Sequence, residues 1–428
     1  MRLKAPILAS ACLALAAAAS QAAPADPQAK AVAGITQSKA FKTAAATLAA
    51  QHDRTVADIV ALTEIPSPPF KEKARAEAYA KKFRELGLSD VEIDPEGNVL
   101  GLRKGGGQGP LVVIAAHLDT VFPEGTDVSV KREGTRLMAP GVGDDTRSLA
   151  VLLAYVRALD AAKIKTKSDI LFVGDVGEEG PGDLRGMRYL FTKGKYKDRI
   201  GAFFSMDGSD ASRVVSGGVG SKRYRVTFKG PGGHSYGAFG LVNPMAAMAH
   251  AIDQLYTVKT PASPKTTYSA SVTGGGTSVN SIPSEVWTDF DMRSEDAGEL
   301  AKLETRFRAI VEESVTGENA ARSTRFGPVS ATYTLIGDRP AGHTPKDAAI
   351  VRTTMAAVAS QGLTPTLETS STDSNIPMSL GIPAVTIGSG GSGGRAHALD
   401  EWIDVEPAAS VRGMTVGLTA LLAVAGVQ

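Results

Sequence analysis

The chain has 428 residues, of which 43% are hydrophobic and 21% are charged, and its formal net charge at pH 7 is +1. This composition is that of a globular protein, and the length allows two domains with sizeable cores. So nearly neutral a chain offers no general electrostatic attraction for a nucleic acid or an anionic membrane surface, and we expect neither as a partner. The single cysteine, Cys12, cannot form an intrachain disulfide.

The N-terminus has the pattern of a secretory signal peptide. A basic start (residues 1–4) precedes an apolar, alanine-rich run (residues 5–19) and a small-residue segment that ends in Ala22-Ala23. The run is shorter and less apolar than a membrane-spanning helix requires, and no other stretch is expected to span a bilayer. We expect cleavage after one of these alanines and a periplasmic or secreted protein. A lipoprotein signal ending at Cys12 is the weaker alternative, because little apolar sequence precedes that cysteine.

Beyond a loose lead-in over residues 25–50, apolar runs alternate with helical patterns and predict an α/β fold. Each run indicates a short buried strand, because it is apolar without interruption. Strands that alternate with helices favour a doubly wound, mostly parallel sheet. The runs are Leu111–Ala116, Ile170–Val173, Ala202–Met206 and Ile382–Ile387.

A different pattern interrupts this alternation after Gly218. Strands and helices follow in the order β-α-β-β-α-β, which is typical of a ferredoxin-like α+β domain. We therefore expect a compact domain inserted into the main one. The predicted segments are a signal peptide (1–23), the first part of the main domain (24–218), the inserted domain (219–336) and the second part of the main domain (337–428).

Polar side chains follow all four apolar strands of the main domain. His117 follows the first strand, Glu178 and Glu179 follow the second, Asp207 follows the third, and His397 comes after the glycine-rich loop beyond the fourth. In open α/β sheets, ligands bind beyond the carboxyl ends of the strands. We therefore expect these side chains to meet in one site.

Together with Asp144, which precedes a helix, these residues offer imidazoles and carboxylates without a thiolate. Such a donor set suits Zn²⁺, Co²⁺ or Mn²⁺, and it is large enough for two ions if one carboxylate bridges them. Glu178, beside the ligand Glu179, is then the base that takes a proton from water. Asp119, two residues after His117, is placed to accept the free ring N–H of that histidine. The candidate ligands are His117, Asp144, Glu179, Asp207 and His397.

Each of these residues has a simpler explanation when taken alone. A Glu-Glu pair is most often a solvated turn, and we expect one of Asp144 and Asp145, at a helix start, to cap that helix. The shared position of the polar residues at strand ends favours the metal site for the set as a whole.

The chain resembles the M20 family of co-catalytic zinc peptidases and amidohydrolases, which includes enzymes of the peptidase T and glutamate carboxypeptidase kind. The resemblance covers most of the chain after the signal segment, and the inserted domain follows the fourth of its motifs. It implies two zinc ions bridged by Asp144, with His117 and Asp207 completing one site and Glu179 and His397 the other. The motifs are His117-Leu118-Asp119, Gly141-Val142-Gly143-Asp144-Asp145, Glu178-Glu179-Gly180, Met206-Asp207-Gly208 and Ala396-His397-Ala398-Leu399-Asp400-Glu401.

The resemblance also implies that the inserted domain is a lid that mediates dimerisation. His234 would reach the active site of the partner copy, and Asn280 and Arg293 would hold the substrate, Arg293 through a carboxylate. The chain departs from the family at Thr146-Arg147, where a small pair is common. Asp207 stands where some members have glutamate, which favours an aminopeptidase over an acylase or carboxypeptidase.

The sequence thus predicts a secreted, homodimeric di-zinc peptidase that hydrolyses amide bonds of small peptides. The nearest alternative is an N-acyl amino acid amidohydrolase or carboxypeptidase with the same fold. A non-catalytic periplasmic binding protein is more remote, because a binder needs no base at Glu178.

Overall fold

The computed structural model describes residues 26–428, so the predicted signal peptide and Cys12 lie outside the described residues. Within them the helices are α1 (Pro27–Gln37), α2 (Lys39–Ala50), α3 (His52–Thr63), α4 (Lys73–Glu85), α5 (Arg147–Ala161), α6 (Arg185–Thr192), α7 (Pro244–Leu255), α8 (Ala297–Ala321), α9 (Ala349–Ser360), α10 (Asn375–Ser379) and α11 (Pro407–Ala425). The strands are β1 (Ser89–Ile93), β2 (Val99–Arg103), β3 (Leu111–His117), β4 (Lys131–Glu133), β5 (Arg136–Met138), β6 (Ile170–Asp175), β7 (Ile200–Met206), β8 (Arg213–Gly218), β9 (Gly220–Lys229), β10 (Gly233–His234), β11 (Thr266–Gly275), β12 (Ser281–Ile282), β13 (Glu285–Ser294), β14 (Ser330–Arg339), β15 (Gly342–His343), β16 (Thr366–Ser370), β17 (Ala384–Ile387), β18 (Ser392–Gly394) and β19 (Trp402–Asp404).

The main sheet has parallel strands at its centre and antiparallel strands on both sides. Its order is β1-β2-β6-β3-β7-β17-β8-β15, with β16 also paired to β8. The neighbours β6, β3, β7 and β17 run parallel, whereas β2 and β8 join them in the antiparallel direction. The predicted α/β class is confirmed, and the four apolar runs are the parallel centre.

Helices cover both faces of this sheet. Alternate side chains of β3 enter two different cores, as the two-residue repeat of a strand requires. Val112 and Ile114 pack among side chains of α2, α5 and α11, whereas Val113 and Ala115 pack among those of α6 and α10. Burial on both faces explains why these strands are apolar without alternation.

Residues 27–50 form two helices, so the prediction of a loose lead-in was wrong. The side chain of Asp26 accepts the backbone N–H of Gln28 at 2.8 Å and caps α1, and Ser38 accepts that of Phe41 at 3.1 Å and caps α2. Phe41 and Leu48 are buried in the core of the main domain. Alanine-rich sequence with capping residues at both starts favours helix, and the buried face anchors it.

The last helix, α11, is long and apolar enough to cross a membrane by length and composition alone, which the sequence prediction did not allow for. In the structure, 67% of its apolar window is buried. It packs beside α9, α1 and α2 in the core of the main domain. We therefore interpret α11 as a core helix.

The inserted segment has the predicted ferredoxin-like arrangement. Its elements follow in the order β9-α7-β11-β13-α8-β14, and its sheet is antiparallel throughout with the order β11-β13-β9-β14. Both helices pack on one face, over a core that includes Val226, Phe290 and Phe307. The chain leaves the main sheet after β8 and returns in β15, where Gly342 pairs with Gly218.

We predict that Gly417→Ala destabilises the main domain by about 1–3 kcal/mol, through overpacking of the contact between α11 and α5. An added Cβ at Gly417 would overlap the hydroxyl of Tyr155, which is buried and donates to the carbonyl of Met414 at 2.7 Å. Denaturant unfolding of the variant and the wild type measures the difference. The control is Gly34→Ala in α1, where nothing lies within 4 Å of the added carbon and where alanine favours the helix. Equal stability of Gly417→Ala and wild type would contradict the tight contact.

Candidate active site and metal centre

The carboxylate of Asp144 lies between two imidazoles. His117 ends β3, and its Nε2 lies 2.9 Å from Oδ1 of Asp144. His397 lies in the loop between β18 and β19, and its Nε2 lies 3.2 Å from Oδ2 of the same carboxylate. Each oxygen of Asp144 therefore faces one histidine.

The remaining predicted ligands complete two groups around Asp144. Oε1 of Glu179 lies 3.0 Å from Nε2 of His397. Within each of two groups, the potential ligand atoms lie within 4.8 Å of one another: His117, Asp144 and Asp207 form one group, and Asp144, Glu179 and His397 form the other. The structure thus brings all five predicted ligands together.

The distances and charges of this cluster fit a pair of divalent ions. Two ligands about 2.1 Å from a tetrahedral zinc ion lie roughly 3.4 Å apart, and the nitrogen–oxygen distances of 2.9, 3.0 and 3.2 Å approach that spacing. Burial, aided by the charge of Asp144, raises the pKa of Asp207 to about 6. Hydrogen bonds that the carboxylates of Asp144 and Glu179 accept from His397 raise the pKa of this histidine to about 10. These directions indicate crowded negative charge that a divalent ion would offset.

Asp119 does not make the contact that the sequence predicted. Nδ1 of His117 lies 3.0 Å from the backbone carbonyl oxygen of Asp119, whereas Oδ1 of the carboxylate is 3.7 Å away, beyond hydrogen-bonding distance. The carboxylate instead accepts the backbone N–H groups of Gly177, Glu178 and Glu179 at 2.9, 3.2 and 2.9 Å. Asp119 therefore orients His117 through its main chain and holds the loop after β6 through its side chain.

The expectation that Asp144 or Asp145 caps α5 was wrong, because neither side chain makes a capping hydrogen bond to this helix. Oδ2 of Asp145 accepts the backbone N–H of His117 at 3.2 Å, and the side chain is fully buried. The peptide bond between the two aspartates is cis. Asp145 thus ties the loop of Asp144 to the end of β3.

Glu401 positions the loop that carries Asp144. It ends one of the family motifs, but the sequence did not indicate this role. It accepts the backbone N–H groups of Gly141, Gly143 and Asp144 at 2.8, 2.7 and 2.9 Å. Its carboxylate is buried, and this burial raises its pKa to about 7. The loop that presents Asp144 is therefore held by a residue near His397. The only signal in the sequence was the proximity of Glu401 to that ligand.

Arg339, at the end of β14, contacts the predicted base. Its Nη1 lies 3.1 Å from Oε1 of Glu178 and donates to Oγ of Ser371 at 3.0 Å, and its Nη2 donates to the carbonyl of Glu178. Burial raises the pKa of Glu178 well above its usual range, and the charge of Arg339 opposes that rise. The sequence did not indicate this ion pair, because Arg339 and Glu178 are 161 residues apart.

A cleft of about 370 Å³ opens beside these groups. The main domain contributes acidic residues to its wall, among them Asp144, Glu178 and Glu179. The inserted domain contributes guanidinium groups, which belong to Arg223, Arg293 and Arg339. Arg293, to which the family resemblance assigns substrate binding, thus lines the cleft, and so does Arg223, which the sequence analysis did not name.

His234 and Asn280 lie together but outside the lining of this cleft. β10 and β12 pair His234 with Ser281, and the backbone N–H of Ser235 donates to the carbonyl of Asn280 at 2.9 Å. Both His234 and Asn280 are exposed at the surface of the inserted domain. Within this single chain they are not brought to the metal ligands.

We predict that Glu401→Gln lowers metal affinity by about 10–100-fold while the fold is kept, because an amide NH₂ would replace an oxygen that accepts a backbone N–H. Competition with a chromophoric zinc chelator measures the affinity, and circular dichroism checks the fold. The control is Asp400→Asn, since Asp400 is exposed and hydrogen-bonds only to Arg395 among residues 26–428. A variant that binds zinc as tightly as the wild type would show that Glu401 does not position Asp144.

The chain is similar to several known hydrolases. It is 34% identical over 128 residues to a protein of Pyrococcus abyssi named as a LysW-lysine/LysW-ornithine hydrolase, covering 30% of this chain and 34% of the relative. It is 27% identical over 175 residues to the succinyl-diaminopimelate desuccinylase of Corynebacterium glutamicum, covering 41% of this chain and 46% of the relative. The matched segments thus cover less than half the length of each of these two curated relatives.

Solved structures match over nearly their whole length. Aminopeptidase PepT from Bacillus cereus has a TM-score of 0.70 and 21% identity, covering 87% of this chain and 99% of that chain. The YXEP protein of Bacillus subtilis, described as a dinuclear metal-binding peptidase of family M20, has a TM-score of 0.64 and 17% identity, covering 88% and 99%. At these identities the likeness shows a shared fold.

The model of Peptidase family M20/M25/M40 matches residues 113–423. This segment begins in β3, which bears His117, and ends in α11, beyond His397, so it includes every residue of the cluster around Asp144. The chain therefore belongs to peptidase family M20/M25/M40.

Proposed function

We propose that the protein is a secreted hydrolase that uses two divalent ions to cleave amide bonds of small peptides. Zinc is the metal that we favour, and cobalt and manganese are the alternatives. The observation that carries this proposal is the carboxylate of Asp144 between His117 and His397, with Glu178 in the same cleft. Secretion rests on the signal pattern of residues 1–23, which lie outside the described residues.

Two divalent ions held by the five ligands would lower the pKa of water and polarise the scissile carbonyl. Glu178 takes the proton from the attacking water and passes it to the leaving amine. Arg339 contacts the side chain of Glu178, and the carboxylate of Asp119 accepts its backbone N–H. These contacts fix the position of Glu178, so the base needs little rearrangement. The burial of Glu178 excludes competing water from its carboxylate.

The size and charge of the cleft favour a small substrate with a carboxylate. A cleft of about 370 Å³ is within the range of small-molecule sites. Arg293 presents a guanidinium group to it, and such a group binds a carboxylate through paired hydrogen bonds. A short peptide with a free C-terminus meets both conditions.

A second candidate function is hydrolysis of N-acyl amino acids, or carboxypeptidase activity, by the same chemistry. The desuccinylase named among the relatives, which acts on an acylated amino acid, favours it. Comparing the hydrolysis of tripeptides that have a free amine with that of N-acylated amino acids separates the two candidates.

We predict that Glu178→Gln loses nearly all turnover, at least about 10²-fold, while both metal ions stay bound, because the base is removed and the ligands are kept. Peptide-library turnover and metal content by mass spectrometry measure the two effects, and chelation of the wild type should abolish turnover reversibly. The control is Glu406→Gln, at an exposed helix cap remote from the cleft. An active Glu178→Gln variant would contradict the assigned base. A wild type that binds two ions without cleaving any substrate would favour the binding-protein alternative.

We also propose that the inserted domain forms a homodimer interface. Large apolar side chains near His234 and Asn280 are exposed. The relative solvent-accessible surface area is 88% for Tyr236, 87% for Phe239 and 103% for Val279. A contiguous exposed apolar patch on a folded protein is typical of an association surface. A second copy docked there would cover this patch and could receive His234 into its own cleft.

We predict that inactive Glu178→Ala and His234→Ala chains regain activity when they are mixed under conditions that exchange subunits. In a mixed dimer, one cleft has its own Glu178 and receives His234 from the partner, so random exchange restores roughly a quarter of wild-type turnover. Stopped assays before and after mixing measure the gain, and light scattering gives the oligomeric state. As a control, mixing two preparations of Glu178→Ala should restore nothing. A monomeric protein, or mixing without a gain, would contradict this role of His234.

A further inference from the structure

Arg223 and Arg293 form a pair of guanidinium groups that share one carboxylate. Nε of Arg223 lies 3.1 Å from Oδ1 of Asp291, and Nε of Arg293 lies 2.7 Å from Oδ2 of the same residue. In β9 and β13, Arg223 stands directly opposite Asp291. One carboxylate balances only one of two positive charges, so the pair keeps an excess positive charge.

The terminal nitrogens of both arginines are available to a ligand. Each guanidinium donates to Asp291 only through Nε, and its two Nη groups have no hydrogen-bond partner among residues 26–428. Both side chains line the cleft that also contains Glu178 and four of the five candidate metal ligands. Because Nε is anchored, the free ends of the two guanidinium groups are held in place without a substrate.

Arg339 differs from this pair, although it lines the same cleft. Both of its Nη groups already donate to Glu178 or Ser371, and its side chain is only 5% exposed. The side chains of Arg223 and Arg293 are 20% and 42% exposed. The guanidinium groups that face the cleft with free donors are therefore those of Arg223 and Arg293.

We infer that Arg223 and Arg293 together form a receptor for two carboxylates and make a dicarboxylate fragment next to the scissile amide the preferred substrate feature. Arg293 alone satisfies one carboxylate, and Arg223 adds the second set of paired donors. The inference rests on the proposed amide hydrolysis and specifies its substrate class. Both carboxylates can belong to an acidic amino acid on the amine side. Alternatively, one is the free carboxylate of a dicarboxylic acyl group and the other is the α-carboxylate of the amino acid that it acylates.

The test compares substrates that differ by one charge at nearly equal shape. Ala-Glu and Ala-Gln, and N-acetyl-glutamate and N-acetyl-glutamine, examine the amine side, whereas N-succinyl-alanine and its succinamoyl analogue examine the acyl side. For one of these sides we expect kcat/KM to favour the member with two carboxylates by about 10–100-fold. In Arg223→Met that preference should fall close to one, because KM rises more for the substrate with two carboxylates than for its analogue with one.

The matched control is Arg225→Met. Arg225 is two residues along β9, pairs with Asp289 at 2.7 and 2.8 Å, and stacks on Trp287, but it does not line the cleft. Its loss should leave the preference unchanged. Arg223→Lys, which keeps a charge but not the fork, should retain part of the preference and serves if Arg223→Met does not fold.

A binding measurement separates this inference from the proposed function. Calorimetric titration of the metal-loaded protein with free glutamate, glutamine, succinate and succinamate needs no turnover. Tighter binding of a dicarboxylate, lost in Arg223→Met and kept in Arg225→Met, would support the receptor even if no substrate is cleaved. Turnover in the wild type without a preference for the second carboxylate would overturn the receptor and leave the hydrolase intact. An equal effect of Arg223→Met on substrates with two carboxylates and with one would do the same.

Discussion

Two buried carboxylates hold the loops on which the site is built. Asp119 accepts three consecutive backbone N–H groups of the loop that carries Glu178 and Glu179, and Glu401 accepts the N–H groups that precede and include Asp144. Loops at strand ends have few regular hydrogen bonds of their own, so a carboxylate that gathers their donors fixes them in one conformation. These hydrogen bonds hold the candidate ligands in convergent positions, so binding of ions would require little ordering of the loops.

The cost of this arrangement is concentrated negative charge in a buried place. Asp207 and Glu178 are desolvated, and the pKa of each is raised by that burial. The protein compensates with imidazoles around Asp144 and with the ion pair between Arg339 and Glu178. Cations among carboxylates this close and this buried offset their repulsion, and divalent ions held by the candidate ligands would add to this compensation.

The sequence predicted the parts of the site that follow from local pattern. Buried strands are recognisable as apolar runs, and the polar residues just past their ends, such as His117 and Asp207, could be assigned to one edge of the sheet. The ferredoxin-like insertion was also readable from element order. The partners of Arg339, Glu401 and the Asp119 carboxylate could not be read, because each contact joins segments far apart in the chain and depends on loop geometry. The helices over residues 27–50 were missed because their buried face becomes apparent only against the sheet.

The inserted domain enters and leaves the main sheet through strands that lie side by side, at Gly218 and Gly342. All five candidate metal ligands belong to the main domain, whereas Arg223, Arg293 and Arg339 belong to strands of the insertion. In the function proposed above, the residues for bond cleavage and those for recognition of the substrate's charge thus belong largely to two separately packed domains. Apart from Arg339, which contacts Glu178, residues of the insertion could then change and alter what is recognised while the metal ligands stay unchanged. Such a fold has a route to new substrates without the loss of its chemistry.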